Sequence, residues 1–156
     1  MTAITQVGTI VQGSLSEGLT AKLARADAVE DMRVGKFVVI EGAQHRYFSL
    51  ITDIELHTTD QRLLADPPAN AFVRQVLAGT ATYGTIAIAP MLMLARDGAG
   101  SDGPQPVRTI PGHFSAVLDA EDGDFRTVFG AEDREHPGHF RIGMPLDNDV
   151  PLCLDL

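Results

Sequence analysis

The chain has little of what disulfide-stapled, nucleic-acid-binding or membrane-spanning proteins are built from. Its 156 residues include one cysteine, no tryptophan and two lysines. Because a lone cysteine cannot close a disulfide within its own chain, Cys153 excludes an internal disulfide framework, which suits a reducing compartment. With so few lysines, a face that neutralises nucleic-acid phosphates is not expected.

Long hydrophobic runs are also missing. The longest apolar stretch, residues 86–95, contains Pro90 and is about half as long as a membrane-spanning helix. The first residues contain no basic segment that leads into an apolar run, so we expect no signal peptide. These features predict a soluble, cytoplasmic protein with no membrane partner.

The charge of the chain is strongly negative. The formal net charge is −9, and residues 115–156 contain ten acidic and three basic residues. Most of the excess therefore lies in the last quarter. Such a surface repels phosphate backbones, and its usual role is to keep a protein soluble. Direct DNA binding is therefore not expected.

What the chain does have is a run of strand-like segments in its first third. Short turn-forming connections separate them and no helix intervenes, which predicts a barrel or sandwich and not a parallel sheet. Residues 37–40 are apolar without interruption between Gly35 and Gly42, a pattern that favours a central strand. The four segments read VGTIVQGS, GLTAKLA, VGKFVVIEG and RYFSLITDIEL.

We predict a mainly β fold, a small antiparallel β-barrel with one short helix, in a single domain over residues 1–156. The helix is predicted at residues 66–77, with Asp66 as its cap and two prolines in its first turn. Gly79 is expected to end it. Its apolar residues recur at helical spacing, and we expect this face to plug a barrel end rather than to recruit a partner. These residues are Ala69, Phe72, Val73, Val76 and Leu77.

The later part of the chain returns to strands and loops. The Gly-, Ser-, Asp- and Pro-rich residues 97–106 predict an exposed loop. Residues 121–129 are ambiguous, because Asp122 as a cap favours a helix whereas Gly123 opposes one. The remaining strands are predicted at residues 83–96, 114–118, 139–142 and 150–156.

The chain carries no nucleotide-binding loop. A Walker loop needs Gly-x-x-x-x-Gly-Lys followed by Ser or Thr, so that backbone N–H groups and a lysine surround the phosphates. The one Gly-Lys pair, Gly35-Lys36, is followed by Phe37, and Glu30 stands where the first glycine is required. We therefore predict no catalytic and no cofactor-binding residue in this chain.

Other polar groups favour structural roles. The turn-forming Pro-Gly between His136 and His139 indicates an exposed turn more than a zinc site, so no metal ligand is predicted. Cys153 lies in an apolar run and is expected to be a small core residue. Asp53 and Glu55 share one face of a strand, and we expect that face to be solvated.

The order of the segments resembles the HAS barrel, the small β-barrel at the amino end of HerA-type ATPases and of rotary ATP synthase subunits. The resemblance covers the first 56 residues best, and later segments are similar to the run that precedes the Walker loop in HerA-like proteins. Residues 57–106 depart from the minimal barrel and look like an insertion. The segments that carry the resemblance are residues 7–11, 32–39, 52–54, 109–114, 128–130, 142–147 and 150–156.

The resemblance implies a non-catalytic assembly and partner-docking barrel of a HerA-like DNA-translocating ATPase involved in DNA end processing or repair. The ATPase core, with its ATP and Mg²⁺, is expected beyond residue 156, so this chain alone is not expected to be an enzyme. Barrels of this family form the collar of a hexameric ring and offer a surface to a NurA-type nuclease. DNA is expected to meet this chain only through the assembled parent.

Pairing around a ring is head to tail, which requires two different and complementary patches on one domain. We predict the acidic last quarter as one patch and Arg25, Arg33 and Arg46 as the other. Two further hypotheses stay open. One is a free-standing barrel that binds a small ligand such as a flavin. The other is an oligonucleotide-binding barrel, which needs a basic face that bears aromatic side chains.

Overall fold

The computed structural model describes residues 5–96, 103–131, 138–145 and 151–155. These residues form nine β-strands, three α-helices and one 3-10 helix. The strands are β1 (Gln6–Ser14), β2 (Gly18–Leu23), β3 (Phe37–Glu41), β4 (His45–Thr58), β5 (Thr82–Ala95), β6 (Gln105–Pro106), β7 (Ala116–Asp119), β8 (His139–Gly143) and β9 (Leu152–Asp155). The helices are the 3-10 helix η1 (Ala26–Asp31), α1 (Arg62–Ala65), α2 (Ala71–Thr80) and α3 (Asp122–Phe129).

Six antiparallel strands close into a barrel. Their order is β1-β7-β3-β4-β5-β2, and β2 returns to pair with β1. The short strand β7 completes the wall because it pairs with β1 on one side and with β3 on the other. Strand β6 adds to β5 at Leu92 and Met93. The predicted mainly β fold with a small antiparallel barrel is confirmed.

Apolar side chains fill the barrel interior. Successive residues of a strand point to opposite faces, so alternate residues such as Leu19, Ala21 and Leu23 of β2 all reach the core. The buried residues that meet there are Val7, Ile10, Leu19, Ala21, Leu23, Val38, Ile40, Tyr47, Ile51, Ile86, Ile88, Met93 and Val117.

Strand β3 is buried on both faces. Val38 and Ile40 belong to the interior cluster, whereas Val39 belongs to a second cluster on the outer wall. All three side chains are fully buried. A strand that is covered on both sides has no polar face, which explains the uninterrupted apolar run at residues 37–40. The predicted central strand is confirmed, since β3 lies between β4 and β7.

Helix α3 covers the outer wall with aromatic rings. The rings of Phe37 and Phe48 stack with their centroids 4.9 Å apart. Phe125 of α3 meets each of them edge-on at 5.6 Å, and Phe129 approaches Phe48 at 5.9 Å. Edge-on and stacked rings at these separations stabilise the packing beyond what burial of their apolar area contributes. The second cluster therefore attaches α3 to the barrel.

A capping box starts α3. The Glu121 side chain accepts from the backbone of Asp124, and the Asp124 side chain accepts from the backbone N–H of Glu121. The ambiguous residues 121–129 are therefore helical, and Glu121 is the cap rather than Asp122. Packing against the outer wall outweighs the weak helix propensity of Gly123.

Helix α2 begins later than the sequence predicts. The helix predicted at residues 66–77 runs from Ala71 to Thr80, and the short α1 precedes it as a separate turn. A residue that precedes a proline avoids the α conformation, so the prolines at 67–68 interrupt the helix. Asn70, not Asp66, is the cap, because its Oδ1 accepts hydrogen bonds from two backbone N–H groups of the first turn.

The 3-10 helix η1, and not α2, covers the end of the barrel. Val29 of η1 and the following Met32 pack against the barrel core. Helix α2 has no buried residue, so the prediction that its apolar face plugs a barrel end is wrong. The reason is that β4 and β5 stay paired as far as Thr58 and Thr82, which carries α2 beyond the barrel on a two-stranded arm.

Strands β8 and β9 form a small sheet of their own beside α3. They lie where strands are predicted at 139–142 and 150–156. Cys153 on β9 is buried, as expected of a small core residue. Residues 97–102 of the predicted loop lie outside the described residues, and the end of that loop forms β6.

Gly8 of β1 marks a close approach of two strands. A Cβ atom there would lie 2.5 Å from the carbonyl oxygen of Lys22 on β2, inside van der Waals contact. We expect Gly8→Ala to lower the free energy of unfolding by about 1–3 kcal/mol, measured by urea denaturation. Gly123→Ala is the matched control, because nothing lies within 4 Å of its Cβ position and alanine adds about 1 kcal/mol of helix propensity. A Gly8→Ala protein as stable as the parent chain would contradict the close approach.

Candidate interaction surface

Arg46 joins the barrel to α3. Its Nε donates to Oε1 of Glu41 and its Nη1 donates to Oδ1 of Asp124, both at 2.7 Å. Glu41 faces Arg46 across the β3–β4 ladder, whereas Asp124 belongs to α3. The Asp124 side chain is only 6% exposed, and its second oxygen accepts from the N–H of Glu121. Both carboxylate oxygens of Asp124 are therefore bonded within the chain.

The environment of Arg46 keeps its guanidinium charged. Burial by itself lowers the pKa of Arg46, but the hydrogen bonds and the attraction of Glu41 and Asp124 outweigh burial and raise the pKa above its ordinary value. The positive charge is thus engaged by carboxylates of the same chain. The proposed part of Arg46 in a ring interface stays a prediction.

The structure places the other two arginines of the predicted patch elsewhere. Arg25 precedes η1 and Arg33 follows it, and both are exposed. Arg46 lies opposite Glu41 at the β3–β4 turn, whereas the residues before Phe37 lead into the other end of β3. Arg25 and Arg33 therefore flank one end of the barrel, and Arg46 lies at the other.

A helical lobe stands outside the barrel. We define the helical lobe as residues 59–81, which carry α1 and α2 between β4 and β5. Between the lobe and the two-stranded arm lies a groove of about 380 Å³. The groove is largely apolar, and the residues that line it include Leu56, Leu63, Leu64, Pro67, Leu77 and Tyr83.

Helix α2 presents two different faces. Leu77 and Ala78 line the groove. Phe72, Val73 and Val76 form what we call the apolar stripe, and they are 73%, 41% and 49% exposed. Because each residue turns about 100° around a helix axis, Ala78 points away from Val76, whereas Leu77 lies about 40° from Val73, so the groove side borders the apolar stripe. Both surfaces are open to solvent.

Polar and aromatic contacts hold the arm beneath the lobe. His57 Nε2 lies 2.8 Å from Thr85 Oγ1, and the His57 ring stacks on Tyr83 at 5.1 Å. Lys22 Nζ of β2 lies 4.8 Å from the centroid of Tyr83. These contacts tie β4, β5 and β2 together at the floor of the groove, since His57 and Tyr83 line it.

The described residues hold no group of three or more histidine, cysteine, aspartate or glutamate side chains placed to bind a metal ion. The predicted turn at His136 lies outside the described residues. Asp53 and Glu55 are exposed on β4, in agreement with a solvated face, and Glu55 lies 3.3 Å from His57 Nε2. Among the described helices, none is both long enough and apolar enough to cross a membrane.

The architecture agrees with a known family. The family model for the HAS barrel domain matches residues 7–113, more than half of the chain. This chain belongs to the HAS-barrel family. The matched span of this HAS barrel contains β2 to β5, most of β1 and the helical lobe, while β7, which closes the barrel, follows it. A comparison with curated proteins found no match. The interpretation of residues 57–106 as an insertion stays a prediction.

Sequence reasoning missed the contact that joins α3 to the barrel. Arg46 and Asp124 are 78 positions apart, and no local pattern links them. The capping box of Glu121 and Asp124 was a usable local signal, because an acidic residue at the third helical position favours a helix start. The apolar face of α2 was recognised, but its exposure depends on which element reaches the barrel end.

Tyr47 makes the fold sensitive to alkaline pH. Burial raises the pKa of the Tyr47 hydroxyl, and a hydrogen bond with Thr109 lowers it by less. Because this pKa is raised in the folded state, the stability linked to it is present below the ordinary tyrosine pKa of about 10 and is lost as the pH rises through the raised value. In Tyr83→Phe, where Tyr47 is the remaining tyrosine, we expect tyrosinate absorbance to appear at higher pH in the folded than in the urea-unfolded protein. Identical titrations would contradict the burial of Tyr47.

Proposed function

We propose that this chain is the assembly and partner-docking barrel of a HerA-like DNA-translocating ATPase that acts in DNA end processing or repair in the cytoplasm. The observation that carries the proposal is membership of the HAS-barrel family over residues 7–113. In this proposal the chain itself performs no catalysis, and ATP and Mg²⁺ are bound by a core beyond residue 156. Its partners are further copies of the same protein in a hexameric ring and a NurA-type nuclease.

The filled interior of the barrel supports an assembly role over a ligand-binding one. Val38, Ile40, Ile51 and Ile86 are 0% exposed inside the barrel. These side chains leave no room for a flavin-sized ligand among them, as in other small barrels, which are filled by their own inward-facing residues. A barrel of this kind interacts through its outer surface.

The position of β9 supports a link to an ATPase core. In HerA-like proteins, a strand that resembles the one containing Cys153 leads towards the nucleotide loop. Here β9 lies against α3, and α3 is held to the barrel wall by the Arg46–Asp124 ion pair. A core that continued from β9 would therefore be fastened to the barrel rather than tethered by a loose linker.

The closed wall of the barrel supports assembly through side chains. A closed barrel leaves few strand edges free for pairing with another copy. Neighbours in a ring must then meet through two different side-chain surfaces of the same domain. Candidate surfaces are the exposed lobe and the charged ends of the barrel.

The coding sequence beyond codon 156 tests the proposal directly. We expect a Gly-x-x-x-x-Gly-Lys-Ser/Thr motif within about a hundred codons. We also expect the longer protein to form a hexamer that hydrolyses ATP, while residues 1–156 hydrolyse none. A stop codon directly after Leu156 would overturn the proposal and leave a free-standing barrel.

A further inference from the structure

The helical lobe carries two apolar surfaces that nothing in the described part of the chain covers. Phe72 and Val76 lie one turn apart on α2 and form the ridge of the apolar stripe. In the groove, Leu56 and Leu64 are 77% and 71% exposed. On soluble proteins, contiguous patches of exposed apolar side chains mark binding surfaces.

The shapes of the two surfaces are complementary. The apolar stripe is convex and its largest side chain, Phe72, projects into solvent, whereas the groove is a concave apolar space of about 380 Å³. An aromatic side chain that fills an apolar pocket is a frequent anchor of protein interfaces. The same lobe thus presents both an anchor and a receptor for it.

The charge distribution favours a second copy of this chain as the occupant of the groove. The lobe carries two acidic and two basic residues, so it is neutral in a chain of net charge −9. One of these pairs, Arg62 and Asp60, is joined at 3.0 Å within the lobe. Two copies repel each other mainly through their acidic last quarters, so charge does not oppose a contact between the neutral lobes.

We infer that copies of this chain associate head to tail, with the apolar stripe of one copy (Phe72, Val73 and Val76) inserted into the lobe groove of the next. The stripe and the groove are separate surfaces of the lobe, and in this arrangement a copy engages two different neighbours. Such a heterologous contact builds rings or open arrays instead of two-fold dimers. The inference rests on the proposed function for the ring and names the surface through which neighbours meet.

Two variants that each destroy one surface test the inference. Phe72→Asp places a charge in the apolar stripe and leaves the groove intact, whereas Leu64→Asp does the reverse. Both positions are mostly exposed, so folding should be unaffected, and circular dichroism with thermal unfolding checks this. Gln75→Asp is the matched control, because it adds the same charge to an exposed position of α2 that belongs to neither surface.

Sedimentation equilibrium of residues 1–156 supplies the readout. We expect the parent chain and Gln75→Asp to associate beyond dimers below about 1 mM. Each surface variant should weaken association about tenfold or more. An equal mixture of the two variants should form a complex that stops at two copies, because one intact stripe and one intact groove remain to be paired.

Three results would overturn the inference. They are a parent chain that stays monomeric or stops at dimers in this range, association that at most one variant weakens, which indicates a contact of like with like or another surface, and loss in both variants without recovery on mixing. The proposed function is judged separately. A longer protein whose Phe72→Asp variant still forms hexamers would keep the proposed function and reject this contact, whereas a stop codon after Leu156 rejects the proposed function and leaves the mixing result standing.

Discussion

Arg46→Met is expected to lower the free energy of unfolding by about 3–5 kcal/mol, because it leaves the buried carboxylate of Asp124 without its cationic partner. Methionine keeps much of the apolar stem of the arginine, so the change removes charge and hydrogen bonds more than volume. The Asp124 side chain is 6% exposed and so gains little compensation from water. Urea denaturation followed by circular dichroism measures the loss.

Two further proteins make the Arg46 result specific. In Arg62→Met the lost partner is also an aspartate, but Arg62 is 91% exposed, so we expect no measurable change. The double variant Arg46→Met/Asp124→Asn should lose less unfolding free energy than the two single variants lose together, by about 1 kcal/mol or more. Additive losses, or an Arg46→Met protein within about 0.5 kcal/mol of the parent chain, would show that the pair does not hold α3.

Phe125→Ala is expected to lower the free energy of unfolding by about 3–5 kcal/mol. Phe125 is 2% exposed and contacts three other phenylalanine rings, so its removal leaves a cavity between α3 and the outer wall. Native-state hydrogen exchange should show a larger loss of protection in α3 than in β3, because the barrel interior keeps its own packing.

Phe72→Ala is the control for the loss of an aromatic ring. Phe72 is 73% exposed on α2, and its removal creates no cavity. We expect its free energy of unfolding to stay within about 0.5 kcal/mol of the parent chain. Equal losses at Phe72 and Phe125 would contradict the different burial of the two rings.

These two regions relate differently to the proposed assembly. Arg46 and Phe125 hold α3, which in turn contacts β9. In the proposed function, β9 leads towards an ATPase core. The apolar stripe on α2 contributes little to folding and is free to contact a neighbour. Variants of the first kind should therefore reduce stability, and variants of the second kind should reduce association.

The strands were predictable because their signals are local. The uninterrupted apolar run at residues 37–40 follows from burial on both faces of β3, and the alternation in β2 follows from burial on one face. The family resemblance rested best on residues 7–56, and that part lies within the span that the HAS-barrel match covers, whereas the segments from residue 128 onward lie outside it.

Local chemistry sets the helix boundaries, but the sequence prediction placed the start of α2 too early. Two prolines at 67–68 suggested a first helical turn, but they interrupt the helix because each restricts the residue before it. Asn70 then provides the cap by bonding to the backbone of the first turn. At α3, the acidic capping box and the packing of Phe125 against the outer wall together outweigh the weak helix propensity of Gly123.

By itself, the sequence determined the mainly β class, the position of the strands and the absence of a Walker loop, because each depends on residues that are neighbours along the chain. Only the tertiary structure decided that η1 covers the barrel end, that α2 stays exposed and that Arg46 bonds Asp124. Those outcomes depend on which distant segments meet in space. Arg46 and Asp124 are 78 positions apart, and no local sequence pattern indicates their contact. A side chain's role as core or surface is fixed by what packs over it, and that is a property of the whole fold.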